Sequence, residues 1–266
     1  MAKFFAYLLL IPLATAAWSQ EDAPDGDANE VLVLADVPDT VMSALDSTMT
    51  AEAHPQDSPA QRGFLIITSD GKSSLRLRGS IRLNGGYDFN GLLGKTTFST
   101  VDIPAGANDT GETSFFMQAG QTRFGLDIVQ ATRAGEGFIR LELDFLGEGN
   151  TARLRHAYGH LGPLLAGQTW STFSDVGSLP LTVDLDGPNS SVAERTIQAR
   201  FTFEGSSGMQ YALGIESPNV EKTEPDSLQL RPAFQSFPDV VASMRHRAEW
   251  GHLKVAGVLR SITVRN

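Results

Sequence analysis

The sequence predicts an all-β fold: a transmembrane, antiparallel, up-and-down β-barrel. Three observations carry the prediction: long runs with a period of two, a polar parity crowded with arginine and carboxylates, and an export signal at the N-terminus. Successive side chains of a strand point to opposite faces, so a period of two means one apolar and one polar face. A soluble sandwich hides its apolar face, whereas a membrane barrel turns it outward to lipid and keeps charge in an aqueous lumen. Arginine opposite carboxylate suits such a lumen better than the Thr, Ser and Lys mixture of a solvated sheet.

Taken in chain order, residues 1–19 (MAKFFAYLLLIPLATAAWS) have Lys3, an apolar run from Phe4 to about Leu13, and small residues at Ala14, Ala16, Ala17 and Ser19. This is the layout of a signal peptide cleaved near Ala16 or Ser19, and the run is short of the roughly 20 residues a spanning helix needs. Residues 20–63 read as an acidic periplasmic leader. Glu21, Asp22, Asp25, Asp27, Glu30, Asp36, Asp39, Asp46, Glu52 and Asp57 occur there with no Lys or Arg before Arg62. QEDAPDGDANE favours disorder, and one short helix is expected from about Pro38 to Ala51, with Asp36 or Asp39 near its start. The leader thus holds the uneven part of a net charge of −10. The balanced, Arg-rich remainder offers no nucleic-acid surface. Cysteine is absent, so an exported chain must be stabilised by size, sheet closure or assembly.

The barrel proper is expected over residues 64–266. Ser74 to Gly91 sets Leu75, Leu77, Ile81, Leu83, Tyr87 and Phe89 against Arg76, Arg78, Ser80, Arg82, Asn84, Asp88 and Asn90, and reads as one long strand. Arg123 to Ile128, Phe138 to Phe145, Thr196 to Glu204, Met209 to Glu216 and Ser243 to Trp250 repeat the scheme. Arg153 to Leu161, Leu164 to Phe173 and His252 to Ile262 are weaker, which brings the readable strands to nine. Tight connections (GEGNTA, Gly147 to Ala152; GSSG, Gly205 to Gly208) alternate with long ones (Leu92–Thr113, Ser174–Ala193, Ser217–Asp239), as in an up-and-down barrel. Tyr87, Phe89, Tyr158, Phe173 and Trp250 lie near strand ends, where aromatic girdles sit.

The run RLRHAYGHLGPLLAGQTWSTFSDVGSLPLTVDLDGPNSSVAERTIQARF (Arg153 to Phe201) resembles the DcaP-like family of Gram-negative outer-membrane porins, with GQTWSTFSD and its following Pro and GP turn the most specific part. FLIITSDGKSSLRLRGSIRLNGGYD (Phe64 to Asp88) resembles the start of that family's barrel, and the resemblance extends to about Asn266. It implies an outer-membrane homotrimer whose barrel has about 16 strands. It also implies passive conduction of small, preferably anionic solutes, dicarboxylates included. Nine strands and an end at SITVRN, without a terminal aromatic strand, are the pattern of a barrel truncated at its C-terminus.

In porins the long third loop folds inward, and Ser174–Arg195 stands in its place. Asp175, Asp184 and Asp186 are then expected to face Arg76, Arg78, Arg82, Arg123, Arg140, Arg153, Arg155 and Arg200 across water. A ring of arginine favours anions, and opposed charge orients dipolar solutes; salt bridges between adjacent strands would use the same residues structurally. Arginine suits either role, since its planar fork binds carboxylates bidentately and keeps its charge.

No cofactor or metal is expected. His54, His156, His160, His246 and His252 lack ligand spacing, because in a strand His156 and His160 stand about 13 Å apart. His156 and His246 fall on the apolar parity, which reads as subunit interface or membrane boundary. An outer-membrane hydrolase would draw on His156, His160, Ser171 and Ser174, but no G-x-S-x-G elbow occurs, so an enzyme is not expected. A surface adhesin would use aromatic-rich outer loops, and Leu92–Thr113 and Ser217–Asp239 hold only Phe98, Phe234 and Phe237.

Overall fold

The computed structural model describes residues 31–34, 64–68, 72–89, 91, 113–180, 192–218, 235 and 237–261. The expected signal peptide, the helix from Pro38 to Ala51, and Asp184 and Asp186 lie outside them. Thirteen strands are found among the described residues: β1 (Val31–Leu34), β2 (Phe64–Thr68), β3 (Ser73–Ser80), β4 (Asn84–Asp88), β5 (Ser114–Gln118), β6 (Arg123–Thr132), β7 (Gly135–Asp144), β8 (Arg153–Leu161), β9 (Leu164–Trp170), β10 (Arg195–Glu204), β11 (Met209–Glu216), β12 (Asp239–Ala248) and β13 (Gly251–Leu259). Eleven form one sheet in the order β1-β2-β3-β6-β7-β8-β9-β10-β11-β12-β13, and β4 and β5 form a separate pair. Apart from that excursion each strand neighbours the next in sequence, which is the up-and-down topology. The sheet is not closed within the described residues.

The strand list extends the nine expected from alternation. β2 (FLIIT) lacks a period of two, and β5 (SFFMQ) and β1 are short. The last lies within the acidic leader, where Val31–Leu34 pair antiparallel with Thr68–Leu65. Ser74–Gly91 is not one strand but two. β3 pairs with β6 through Ser80↔Arg123, and β4 pairs with β5 from Asn84↔Gln118. Three residues (81–83) therefore face four (119–122), an unequal count of the kind that bulges a ladder. A turn from Thr122 N to Ala119 O (2.9 Å) takes up the extra residue.

Turn chemistry separates two kinds of connection. The β6–β7, β8–β9, β10–β11 and β12–β13 turns are short, with Gly162 (φ +54°) and Gly208 (φ +76°) adopting backbone that favours glycine. Connections at the other strand ends run over residues 145–152, 171–194 and 217–238. GEGNTA, expected as a tight turn, therefore belongs to the longer set.

The chain divides into two compact units. One comprises residues 1–131, 140–155 and 176–191; the other comprises 132–139, 156–175 and 192–266. Both invert the burial pattern of a soluble sheet. In the first, Arg76, Asp127, Arg140, Glu142, Asp144 and Arg155 are buried while Phe64, Phe115, Phe124 and Leu141 are exposed; in the second, Gln198, Arg200, Glu216 and Arg245 are buried while Ile197, Phe201, Leu213 and Val255 are exposed. Among the described residues 27 large apolar side chains are exposed. Leaving a Phe or Leu about half exposed forgoes on the order of 1 kcal/mol of burial. In water, 27 of them would forgo more than the roughly 5–15 kcal/mol by which a domain is usually stable. Lipid is the solvent in which that face costs nothing.

Candidate functional site

In the first unit alternation places Arg78 (β3), Arg123 and Asp127 (β6), Arg140, Glu142 and Asp144 (β7) and Arg153 and Arg155 (β8) on the polar face. Their charges interlock as a ladder. Arg140 grips Asp127 with both arms of its fork, Nε to Oδ1 at 2.8 Å and Nη2 to Oδ2 at 3.1 Å. Arg78 lies between Asp127 (Nε to Oδ2, 3.0 Å) and Glu142 (Nη2 to Oε2, 2.8 Å). Arg155 joins Glu142 (Nε to Oε1, 2.7 Å) to Asp144 (Nη1 to Oδ2, 3.1 Å). Arg153 closes the run, Nε to Oδ1 at 2.9 Å and Nη2 to Oδ2 at 2.7 Å of Asp144. Arg123 stands beside Glu142 at 4.0 Å.

Five guanidinium groups thus share three carboxylates, and the ladder begins and ends on arginine. Asp127 is 1% exposed, so each carboxylate must be matched by cations, because a buried charge left alone is costly. Arg78 is held differently from the others. Its Nε and Nη2 atoms are within ion-pair distance but not aligned as hydrogen bonds. Gly125 lies opposite Arg78, and a Cβ there would stand 3.0 Å from its Nε, so the glycine makes room for the guanidinium between strands. Of the other expected arginines, Arg76 is buried opposite Asp127 in the β3–β6 register. Arg82 reaches Asn84 Oδ1 (3.3 Å), and in the second unit Arg200 is buried opposite Leu165 and Gly214.

The second unit carries a different cluster, built on the chain leaving β9. Glu216 on β11, buried, accepts three hydrogen bonds: from Ser171 Oγ (2.7 Å), from the Thr172 backbone N–H (2.6 Å) and from Thr196 Oγ1 (3.3 Å). Gln198 on β10 accepts from Thr172 Oγ1 (3.2 Å) and donates to the carbonyls of Thr169 (3.2 Å) and Trp170 (2.8 Å). Asp175, expected to face the arginine row, contacts Arg245 on β12 (3.0 Å) and His252 on β13 (2.8 Å), and Lys254 donates to the Ser174 carbonyl (2.5 Å). Just beyond β13, hydrogen bonds to Asp239 hold the guanidinium of Arg260 above its ordinary range.

Sequence reading found the arginines but not their partners. Asp127, Glu142 and Asp144 were visible as the polar parity of two strands, yet nothing in one sequence states cross-strand register. Glu216, Gln198, Arg245, His252 and Lys254 gave only the signal of a polar residue at an alternating position. His156 and Tyr158 correct the expected parity. Arg155 and His156 are consecutive and both buried, so the alternation slips by one residue there. Beyond the slip, His156 Nδ1 lies 3.1 Å from Thr169 Oγ1, and Tyr158 stands opposite Gly167, itself opposite the buried Gln198. His156 is therefore on the polar face and not at a lipid or subunit boundary, and Tyr158 packs with Phe138 (5.9 Å between ring centres) instead of joining a girdle.

Comparison with known proteins follows these faces. A family model described as DcaP outer membrane protein matches residues 64–237. No curated protein matches the sequence. Among solved structures the chain is similar to the crystal structure of the outer membrane channel DcaP of Acinetobacter baumannii, with a TM-score of 0.61 and 20% identity over 74% of this chain. It spans 56% of that channel's chain, and the likeness is one of fold.

Proposed function

The chain belongs to the DcaP outer membrane protein family, and from that premise we propose that it forms a passive diffusion channel for small hydrophilic, preferably anionic solutes such as dicarboxylates. The observation that carries this reading is the inversion of faces: charge is buried on one side of the strands and large apolar side chains are exposed on the other. A membrane barrel with a water-filled lumen uses that arrangement. The reading includes outer-membrane lipid around the apolar face, assembly as a homotrimer, conduction without energy input, and a lumen narrowed by the loop after β9.

Support for the anion preference comes from the arginine excess of the ladder. Rings of positive side chains favour anions, and contacts must be weak and multiple for a solute to leave again. Carboxylates already in place supply that weakness, because each guanidinium exchanges a fixed partner for a passing one. Arg78, unaligned with both of its neighbours, is the link best suited to the exchange. Arg78→Glu combined with Arg82→Glu is therefore expected to move the ion preference toward cations, read as reversal potential across a salt gradient in planar bilayers. Unchanged reversal potentials would refute the selectivity role, and absence of any conductance in the unaltered protein would refute the channel.

A further inference from the structure

Resting on the lipid reading of the exposed face and not on conduction, we propose that His246 is the centre of a phospholipid headgroup site, in which its imidazole donates a hydrogen bond to a phosphodiester oxygen at the short-turn end of β10–β13. Register places His246 in the outward-facing row Met209↔His246↔Leu253, one step nearer the turns than Tyr211↔Met244. Leu253 and Met244 are exposed, and the ring of Trp250, in the turn after β12, lies 6.5 Å from the imidazole, centre to centre. His246 stands two residues before Ala248, the last of β12, or about 7 Å along the strand. Short turns are the periplasmic ends of membrane barrels, so the ring sits near the headgroup level of the periplasmic leaflet.

An imidazole on this face has a difficulty that its apolar neighbours do not. It always carries an N–H, and hydrocarbon holds no acceptor. Nδ1 is buried with no hydrogen-bond partner, while the side chain as a whole is half-buried. A buried N–H without an acceptor is costly, so the proton belongs on Nε2, at the end of the ring away from the backbone. That N–H finds its acceptor where hydrocarbon gives way to headgroups, and a charged phosphodiester oxygen makes the strongest bond of those a phospholipid offers. The surroundings match that depth. Tyr211 stacks on Phe203 (5.2 Å, 19° between planes), and its ring lies against Gly205, where a Cβ would stand 3.0 Å from Cε2, so the phenol is drawn toward the turn. Tyrosine and the exposed Trp250, each apolar with one polar tip, settle at headgroup level. Farther from the turns the same face of β11 and β12 is apolar (Leu213, Ile215, Val240, Ala242). Polarity sorted by depth is what a bilayer selects, whereas a contact with a second copy of the chain has no reason to follow it.

Trp18→Phe with Trp170→Phe leaves Trp250 as the single tryptophan of the full chain, beside the site. In vesicles that mix brominated phosphatidylethanolamine with unbrominated galactosyl diacylglycerol, which has no phosphate, quenching of this reporter protein shows which lipid occupies the patch. A preference for the phospholipid of roughly three- to tenfold over bulk composition is expected, the worth of one net hydrogen bond. His246→Leu should bring the ratio to parity, and His246→Gln, whose amide N–H can still donate, should keep most of it. Inorganic phosphate in solution should change neither. An unchanged preference in His246→Leu, or loss of the preference on adding inorganic phosphate, would overturn the proposal, the latter by marking a site for free anions. Strong quenching without preference would sink the headgroup site alone. Absence of quenching at every lipid ratio would put a second copy of the chain over the patch and overturn the lipid reading of this face as well.

Discussion

Gly167 holds φ at +124°, and a Cβ there would collide with the Ala157 carbonyl oxygen and stand 2.6 Å from Tyr158 Cα. Both the dihedral and the space belong to glycine, so β8 and β9 approach closely only because position 167 has no side chain. Gly167→Ala is expected to destabilise the folded sheet by at least ~2–3 kcal/mol, visible as loss of the compact, heat-modifiable gel band at lower temperature. The sequence showed a glycine in AGQTW but not its partner strand. The same limit applies to charge. The arginines announced themselves by type and parity, whereas the alternation Arg140, Asp127, Arg78, Glu142, Arg155, Asp144, Arg153 exists only after four strands are in register.

Strands with one lipid-facing and one polar side were legible because period two is written in the residues themselves. β2 was not, since Leu65, Ile66 and Ile67 are apolar without interruption, and the slip at Arg155–His156 was not, since a one-residue irregularity looks like noise in a nine-residue strand. The break between β3 and β4 was hidden for the opposite reason: alternation continues through Ile81 and Leu83 while the partner strand gains a residue. That break makes β4–β5 an appendage outside the main sheet. Replacing residues 84–118 by a short Gly/Ser turn is therefore expected to leave the β3–β6 ladder, Ser73↔Gln130 to Ser80↔Arg123, intact. Retention of the heat-modifiable band would bear this out, and its disappearance would show that the hairpin is needed for assembly.

At the scale of the molecule, the inverted faces make a spectroscopic prediction. Trp250, at the β12–β13 turn, is 72% exposed, whereas Trp170 is 9% exposed beneath Arg195. In vesicles of brominated lipid, fluorescence of the protein carrying Trp170→Phe should be quenched strongly and that of Trp250→Phe weakly. Equal quenching would contradict the assignment of the exposed face to lipid. The charge ladder has a consequence for assembly as well. Sliding one strand past its neighbour by a single residue would swing its arginines and carboxylates to the lipid side, where an arginine near the midplane costs about 2–4 kcal/mol and a carboxylate less. The row of interlocked ions on the polar face is thus a proofreading key for strand alignment: it favours one register of β3, β6, β7 and β8 over the neighbouring ones.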